Sequence, residues 1–248
     1  MRPDVRILAD AAALADAGAA EILGRLARAA GEDRPFRIAL AGGETPRGVY
    51  ERMAAAAGRG ADWSGAHVFW GDERAVPPDH YESNYRMARE SLLSRVPVPE
   101  AQVHRIRAEL PDPAAAADAY EREIRDTFHL AAGEWPRFDL LLLGLGGDGH
   151  VASLFPGSSL LDERRRLVAA TQETHLGTRR ITLTFPVINH ADAVLFLVSG
   201  DMKADILRAV LDGDDGPDRY PAQRVRPEGG SLLWLVDRAA AGGRSSHA

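Results

Sequence analysis

Short continuous apolar runs alternate along this chain with longer stretches whose apolar residues recur at helical spacing. That alternation is the pattern of βαβ units, in which crossover helices join parallel strands. A first helix is expected from about Asp10 to Ala30, with Leu14, Ile22, Leu23 and Leu26 as apolar anchors. Phe36 to Ala41 predicts a buried strand, followed by a Gly42-Gly43 turn and a helix starting near Pro46, a residue favoured in the first helical turn. Val68 to Trp70 reads as a short strand running into a polar loop from Gly71 to Ser83, and Asn84 to Leu93 reads as helix. A long helix is predicted from Pro113 to Leu130 and a strand from Phe138 to Leu143. Further strands are expected at Leu167 to Thr171, Ile181 to Phe185, Ala193 to Val198 and Ser231 to Val236, with a helix from about Asp201 to Leu211. The Asp-, Gly- and Pro-rich stretch from Asp212 to Gly230 predicts a loop, long enough to suggest a functional rim. Gly242 to Ala248 reads as a frayed tail. With no internal repeat and no clear linker, residues 1–248 are expected to form one α/β domain.

Composition narrows the chemistry. An apolar content of 45% suffices for a sizeable core. A formal charge of −6, without a basic stripe, argues against a nucleic-acid or membrane-surface binder. The absence of cysteine excludes disulfides, Cys-ligated zinc and a thiol nucleophile. The N-terminal residues suggest neither signal peptide nor membrane span, so a cytoplasmic protein is expected.

Residues 138–156, FDLLLLGLGGDGHVASLFP, carry the strongest signal. An apolar strand empties into a glycine-rich turn ending in Asp148-Gly149-His150. Ligands of open α/β sheets bind beyond the carboxyl ends of strands, and glycines there let backbone N–H groups approach an anion or sugar. Asp-Gly-His adds a titratable base and a carboxylate. Gly144, Gly146 and Gly149 also satisfy the dinucleotide fingerprint G-x-G-x-x-G. Against that reading, Asp148 would put negative charge near the pyrophosphate, and the nearest candidate for the ribose carboxylate, Glu173, is poorly placed.

Three other motifs sit at expected strand ends. Gly42-Gly43-Glu44-Thr45-Pro46 suits a phosphate at a helix N-terminus, or is an ordinary turn with Thr45 as N-cap. Trp70-Gly71-Asp72-Glu73-Arg74 is a solvated loop, or a polar cluster with Arg74 as an anion or oxyanion clamp. In Ser199-Gly200-Asp201-Met202-Lys203, Lys203 opposes the dipole of a helix start, which a bound phosphate would explain; a solvated lysine is the plainer reading. Arg179-Arg180 either completes the phosphate site or lies on the surface. Each motif is weak alone, but all point into one crevice.

The segments AGGETP (41–46), WGDER (70–74), SNYRMA (83–88), GGDGHVASLFP (146–156), RRITLT (179–184) and SGDMK (199–203) resemble the 6-phosphogluconolactonase family, within the wider group that includes glucosamine-6-phosphate deaminase. The resemblance covers nearly the whole chain. Gly147 departs from it, standing where the family commonly has an acidic residue or proline. The deaminase pattern has Asp-Glu-Tyr where this chain has Asp72-Glu73-Arg74, and a carboxylate where it has Phe155. Both differences favour the lactonase branch.

The resemblance implies an open, mostly parallel Rossmann-like sheet with helices on both faces, and hydrolysis of 6-phospho-D-glucono-1,5-lactone. His150 would be general base toward water and then general acid toward the ring oxygen, roles that suit an imidazole near neutrality. Asp148 would orient it. Arg74 would serve the oxyanion or the phosphate, and Gly43, Thr45, Arg180 and Lys203 the phosphate. Gly42, Asp72, Gly149 and Arg179 complete the expected substrate-binding set. No cofactor or metal is implied; the partner is a phosphorylated sugar lactone, and the expected state a monomer or weak homo-oligomer. The competing readings are an amino-sugar-phosphate deaminase or isomerase, and a sugar-phosphate sensor without turnover. A sensor usually carries a DNA-binding module, and no helix-turn-helix with a basic face precedes Phe36.

Overall fold

The computed structural model of the protein describes residues 4–56, 61–171, 177–213, 216 and 219–243. The elements in chain order are β1 (Asp4–Leu8), α1 (Ala11–Gly31), β2 (Phe36–Leu40), α2 (Glu44–Ala56), β3 (Ala66–Trp70), β4 (Asp72–Arg74), α3 (Asn84–Ser91) and α4 (Pro113–Phe128). There follow β5 (Leu140–Leu143), β6 (Val168–Ala170), β7 (Arg180–Leu183), α5 (Phe185–Asn189), β8 (Ala193–Val198), α6 (Ala204–Asp212), β9 (Ser231–Asp237) and α7 (Arg238–Ala241).

Every residue of β5 and β8 is buried, as continuous Leu- and Val-rich runs require when both faces of a parallel sheet are covered. Six parallel strands pair in the order β1-β9-β8-β5-β2-β3. From β2 the chain steps to β3 on one side; from β5 it steps to β8 and β9 on the other. The direction of winding thus reverses between β2 and β5, where open α/β sheets form their ligand crevice. Helix ends follow local chemistry: the Asp112 carboxylate caps α4 at the Ala114 N–H, Pro113 takes the first helical position, and His129 ends the helix in a left-handed conformation.

The expected α/β architecture is present, with differences that matter for the site. The strands expected near 167–171 and 181–185 do not join the parallel sheet. They are β6 and β7 of a second, antiparallel sheet ordered β4-β7-β6. Its third member, β4, lies inside the expected polar loop, because three charged residues give no apolar alternation to read. β1 is an unforeseen edge strand with little of its length buried. Phe185 opens α5 rather than ending a strand. Helix α2 begins at Glu44, so Thr45 is the second residue of its first turn and not the N-cap. The stretch 212–230 is not loop throughout, since Pro221–Arg224 form a 3-10 turn. Of the expected tail, residues 244–248 lie outside the described residues.

Candidate active site

β5 ends at Leu143, and the chain turns through Gly144 to Gly149 without entering a helix; the next regular element is the 3-10 turn Ser159–Asp162. A dinucleotide fingerprint needs that helix, so the three glycines serve another purpose. Glu173 lies outside the described residues. The Gly149 N–H donates to the Gly146 carbonyl at 3.1 Å, and the Gly146 N–H to the His150 carbonyl at 2.9 Å. Gly149 has φ +83°, a region costly for residues with a Cβ. At Gly146 a Cβ would lie 2.1 Å from His150 Nδ1, so the imidazole occupies the space a side chain would need.

His150 Nδ1 lies 2.5 Å from Asp148 Oδ1, and the same oxygen accepts the His150 backbone N–H at 3.1 Å. Burial alone would raise the Asp148 pKa, but the hydrogen bond and charge of His150 hold it at about 2. An anionic Asp148 favours the proton on Nδ1 and leaves Nε2 as the acceptor. Phe155, the residue at the deaminase carboxylate position, packs against the imidazole with ring centroids 4.5 Å apart.

The opposite wall comes from the small sheet. Pairing of β4 with β7 sets Arg74 directly across from Arg180, and both line the cleft. Like charges opposite one another destabilise an antiparallel pair. Burial, and then the charge of Arg74, push the Arg180 pKa below the usual guanidinium range. The buried Nε of each arginine has no hydrogen-bond partner among the described residues. Lys203, which ends the 3-10 turn Asp201–Lys203, lines the same cleft.

Arg74 is held by Nη1, which donates to the Glu82 carbonyl at 2.6 Å and to Asn84 Oδ1 at 2.8 Å. Asn84 in turn donates from Nδ2 to the Asp72 carbonyl at 2.9 Å. A Cβ on Gly42 would lie 1.9 Å from Asn84 Oδ1, so that glycine makes room for a protein side chain. Glu73 is buried and accepts the backbone N–H groups of Arg74, Asn84 and Tyr85, each at 2.8 Å, and the Ser83 hydroxyl at 3.0 Å. Burial pushes its pKa up against those bonds. Asp72 Oδ2 accepts the hydroxyl of fully buried Ser153 at 2.6 Å. The three charges of Asp72-Glu73-Arg74 therefore divide: Glu73 braces the scaffold, Asp72 braces it and also borders the cleft, and the Arg74 guanidinium faces the cleft.

The cleft has a volume of about 320 Å³ and brings together Gly42, Gly43, Asp72, Arg74, His150, Arg180 and Lys203 of the expected residues. Thr45, Asp148, Gly149 and Arg179 are not among its lining residues. Thr45 is taken into α2, and Asp148 and Gly149 adjoin the cleft through His150. Arg179 precedes β7 and is exposed, whereas Arg180 is buried within β7 and lines the cleft. Sequence reasoning missed Asn84, Glu73 and Ser153. Ser83-Asn84 at a helix start was the available signal for the first.

Comparison with known proteins agrees with this geometry. The family model described as glucosamine-6-phosphate isomerases/6-phosphogluconolactonase matches residues 9–234. The chain is 41% identical to a 6-phosphogluconolactonase of Synechocystis sp. over 240 residues, covering 97% of this chain and 98% of that protein. It is 41% identical to the Homo sapiens 6-phosphogluconolactonase over 215 residues, covering 86% and 82%. Among solved structures, the Thermotoga maritima 6-phosphogluconolactonase superposes with a TM-score of 0.81 at 34% identity, covering 96% of this chain and 100% of that one. The Trypanosoma cruzi 6-phosphogluconolactonase gives 0.84 at 29% identity, covering 98% and 97%. A monomeric glucosamine-6-phosphate deaminase shares the fold, with a TM-score of 0.81 at 20% identity over 97% of this chain and all of that one. The chain belongs to the glucosamine-6-phosphate isomerase/6-phosphogluconolactonase family.

Proposed function

We propose that this protein hydrolyses 6-phospho-D-glucono-1,5-lactone to 6-phosphogluconate. One observation carries the reading: a carboxylate-held histidine shares a 320 Å³ cleft with two arginines and a lysine. A lactone is a reactive ester, so its hydrolysis needs a base for water, a holder for the phosphate and an acid for the leaving ring oxygen. His150 Nε2 takes a proton from water as the oxygen attacks the lactone carbonyl carbon. The tetrahedral intermediate collapses with cleavage of the C1–ring oxygen bond, and His150 returns the proton to that oxygen. Asp148 holds the tautomer and supports the imidazolium, as the buried acid of a catalytic triad does.

Arg74, Arg180 and Lys203 bind the phosphate. Two facing guanidinium groups with unused donors suit a dianion better than a single developing oxyanion. Phosphate at this end of the cleft leaves the lactone ring toward His150. None of the described helices is long and apolar enough to cross a membrane, and the proposed setting is the cytoplasm, with the enzyme a monomer or weak homo-oligomer.

The competing deaminase chemistry needs a carboxylate where Phe155 packs, tilted, against the imidazole. Substrate choice tests the reading. Turnover of the lactone is expected, without ammonia release from glucosamine 6-phosphate; the reverse preference would overturn it. Binding of the phosphosugar with no turnover of either would favour a sensor.

A further inference from the structure

The peptide joining Gly149 to His150 is held at both edges. Its carbonyl accepts the Ala222 N–H at 2.9 Å, and its N–H donates to Asp148 Oδ1 at 3.1 Å. That oxygen also holds His150 Nδ1 at 2.5 Å. The plane of one peptide therefore sets both where the imidazole begins and how it meets its carboxylate.

This peptide follows the most permissive kind of residue. Gly149, at φ +83°, has no side chain of its own to restrict it, so its rigidity has to come from outside. Tyr220 covers it: a Cβ at position 149 would lie 2.8 Å from Tyr220 Cδ1, 3.1 Å from its Cβ and 3.2 Å from its Cα. The segment carrying Tyr220 and Ala222 is itself tied down. Gln223 Nε2 donates to the Val210 and Gly213 carbonyls at 3.1 Å, at the end of α6. Asn189 Nδ2, at the end of α5, donates to the Arg224 carbonyl at 2.9 Å.

We infer that Tyr220 is a positioning residue for His150, its ring clamping Gly149 so that the Gly149–His150 peptide keeps the base in reach of substrate. The inference rests on His150 being the base. The ring edge makes the nearest approach and is the part that an Ala variant removes; the phenol has no hydrogen bond among the described residues, so Phe can replace Tyr. A misplacement of about 1 Å at a reacting group costs on the order of 100-fold in rate.

The test compares Tyr220→Ala, Tyr220→Phe and His150→Ala, with folding checked by circular dichroism. Two readouts apply: kinetics on the phosphorylated lactone, and the proton resonance of His150 Nδ1–H, assigned by its loss in His150→Ala. Tyr220→Ala is expected to lower kcat about 10- to 100-fold with little change in KM, and to broaden or abolish the resonance. Tyr220→Phe is expected to restore both. Should Tyr220→Ala not fold, Tyr220→Leu, which keeps apolar bulk but loses the aromatic face, takes its place. Parent kcat and resonance in the truncated variant, or a Phe variant as impaired as the Ala variant, would overturn the inference. If His150→Ala keeps parent activity, the base assignment has failed, and the resonance alone then decides the clamp.

Discussion

Arg74 and Arg180 stand directly opposite one another across the β4–β7 pair, both facing one cleft and each with a buried, unpartnered Nε. Two like charges in this arrangement weaken the pair unless an anion joins them. Inorganic phosphate is therefore expected to raise Tm in a concentration-dependent way, by linkage to the folded state. In Arg180→Met, thermal shift assays should find that response greatly reduced. An equal shift in parent and variant would place the phosphate elsewhere.

Lys203 completes the cationic set. Lys203→Ala should raise KM for the phosphorylated lactone about tenfold or more while leaving kcat nearly unchanged, the signature of a ground-state contact. On unphosphorylated gluconolactone the same substitution should have little effect. Equal loss on both substrates would remove Lys203 from the phosphate site. Arg74→Ala should follow the same pattern; a fall in kcat at constant KM would move Arg74 to the oxyanion.

Much of this site was legible because its chemistry lies in short local motifs. Asp148, Gly149 and His150 are contiguous, and their turn follows an apolar strand, so the imidazole and the carboxylate that holds it could be read together. The facing of Arg74 and Arg180 was not legible. It depends on a small antiparallel sheet whose strand β4 is three charged residues long, with no periodicity to distinguish it from a loop. The N-cap alternative for Thr45 failed for a related reason: whether a hydroxyl caps a helix or lies in its first turn depends on a shift of a residue or two at the helix start. Gly42 lines the cleft, and no local signal showed that it also makes room for Asn84, far away in sequence. The stretch 212–230 gave no hint that Tyr220 covers Gly149.

Asp148 makes the fold sensitive to acid in a defined window. Its folded pKa of about 2 lies below the ordinary 3.8, so the folded state binds that proton more weakly than the unfolded chain. The stabilisation is fully present above about pH 4 and is lost as pH falls toward 2. Tm measured from pH 2 to 6 should show a gap between the parent and Asp148→Asn that narrows through this window. A gap independent of pH would contradict the ion pair. The half-exposed carboxylate makes the effect modest.

Glu73 is buried and accepts four hydrogen bonds that fix the start of α3 and the backbone of Arg74. Glu73→Ala leaves those donors unpaired and should cost about 3 kcal/mol of stability, measured by urea unfolding. KM should rise as well, because Asn84 and Arg74 lose their support. Parent stability with a raised KM would mean that the carboxylate acts on substrate directly.

As the base of a lactonase, His150 must carry most of the rate. Hydrolysis of freshly generated 6-phosphogluconolactone, coupled to a 6-phosphogluconate dehydrogenase and corrected for the spontaneous rate, tests it in parent and His150→Ala. The parent should give a rate proportional to enzyme, and the variant should lose about 10²- to 10⁴-fold in kcat with little change in KM. A folded parent without activity, or a variant within twofold of an active parent, would contradict that role.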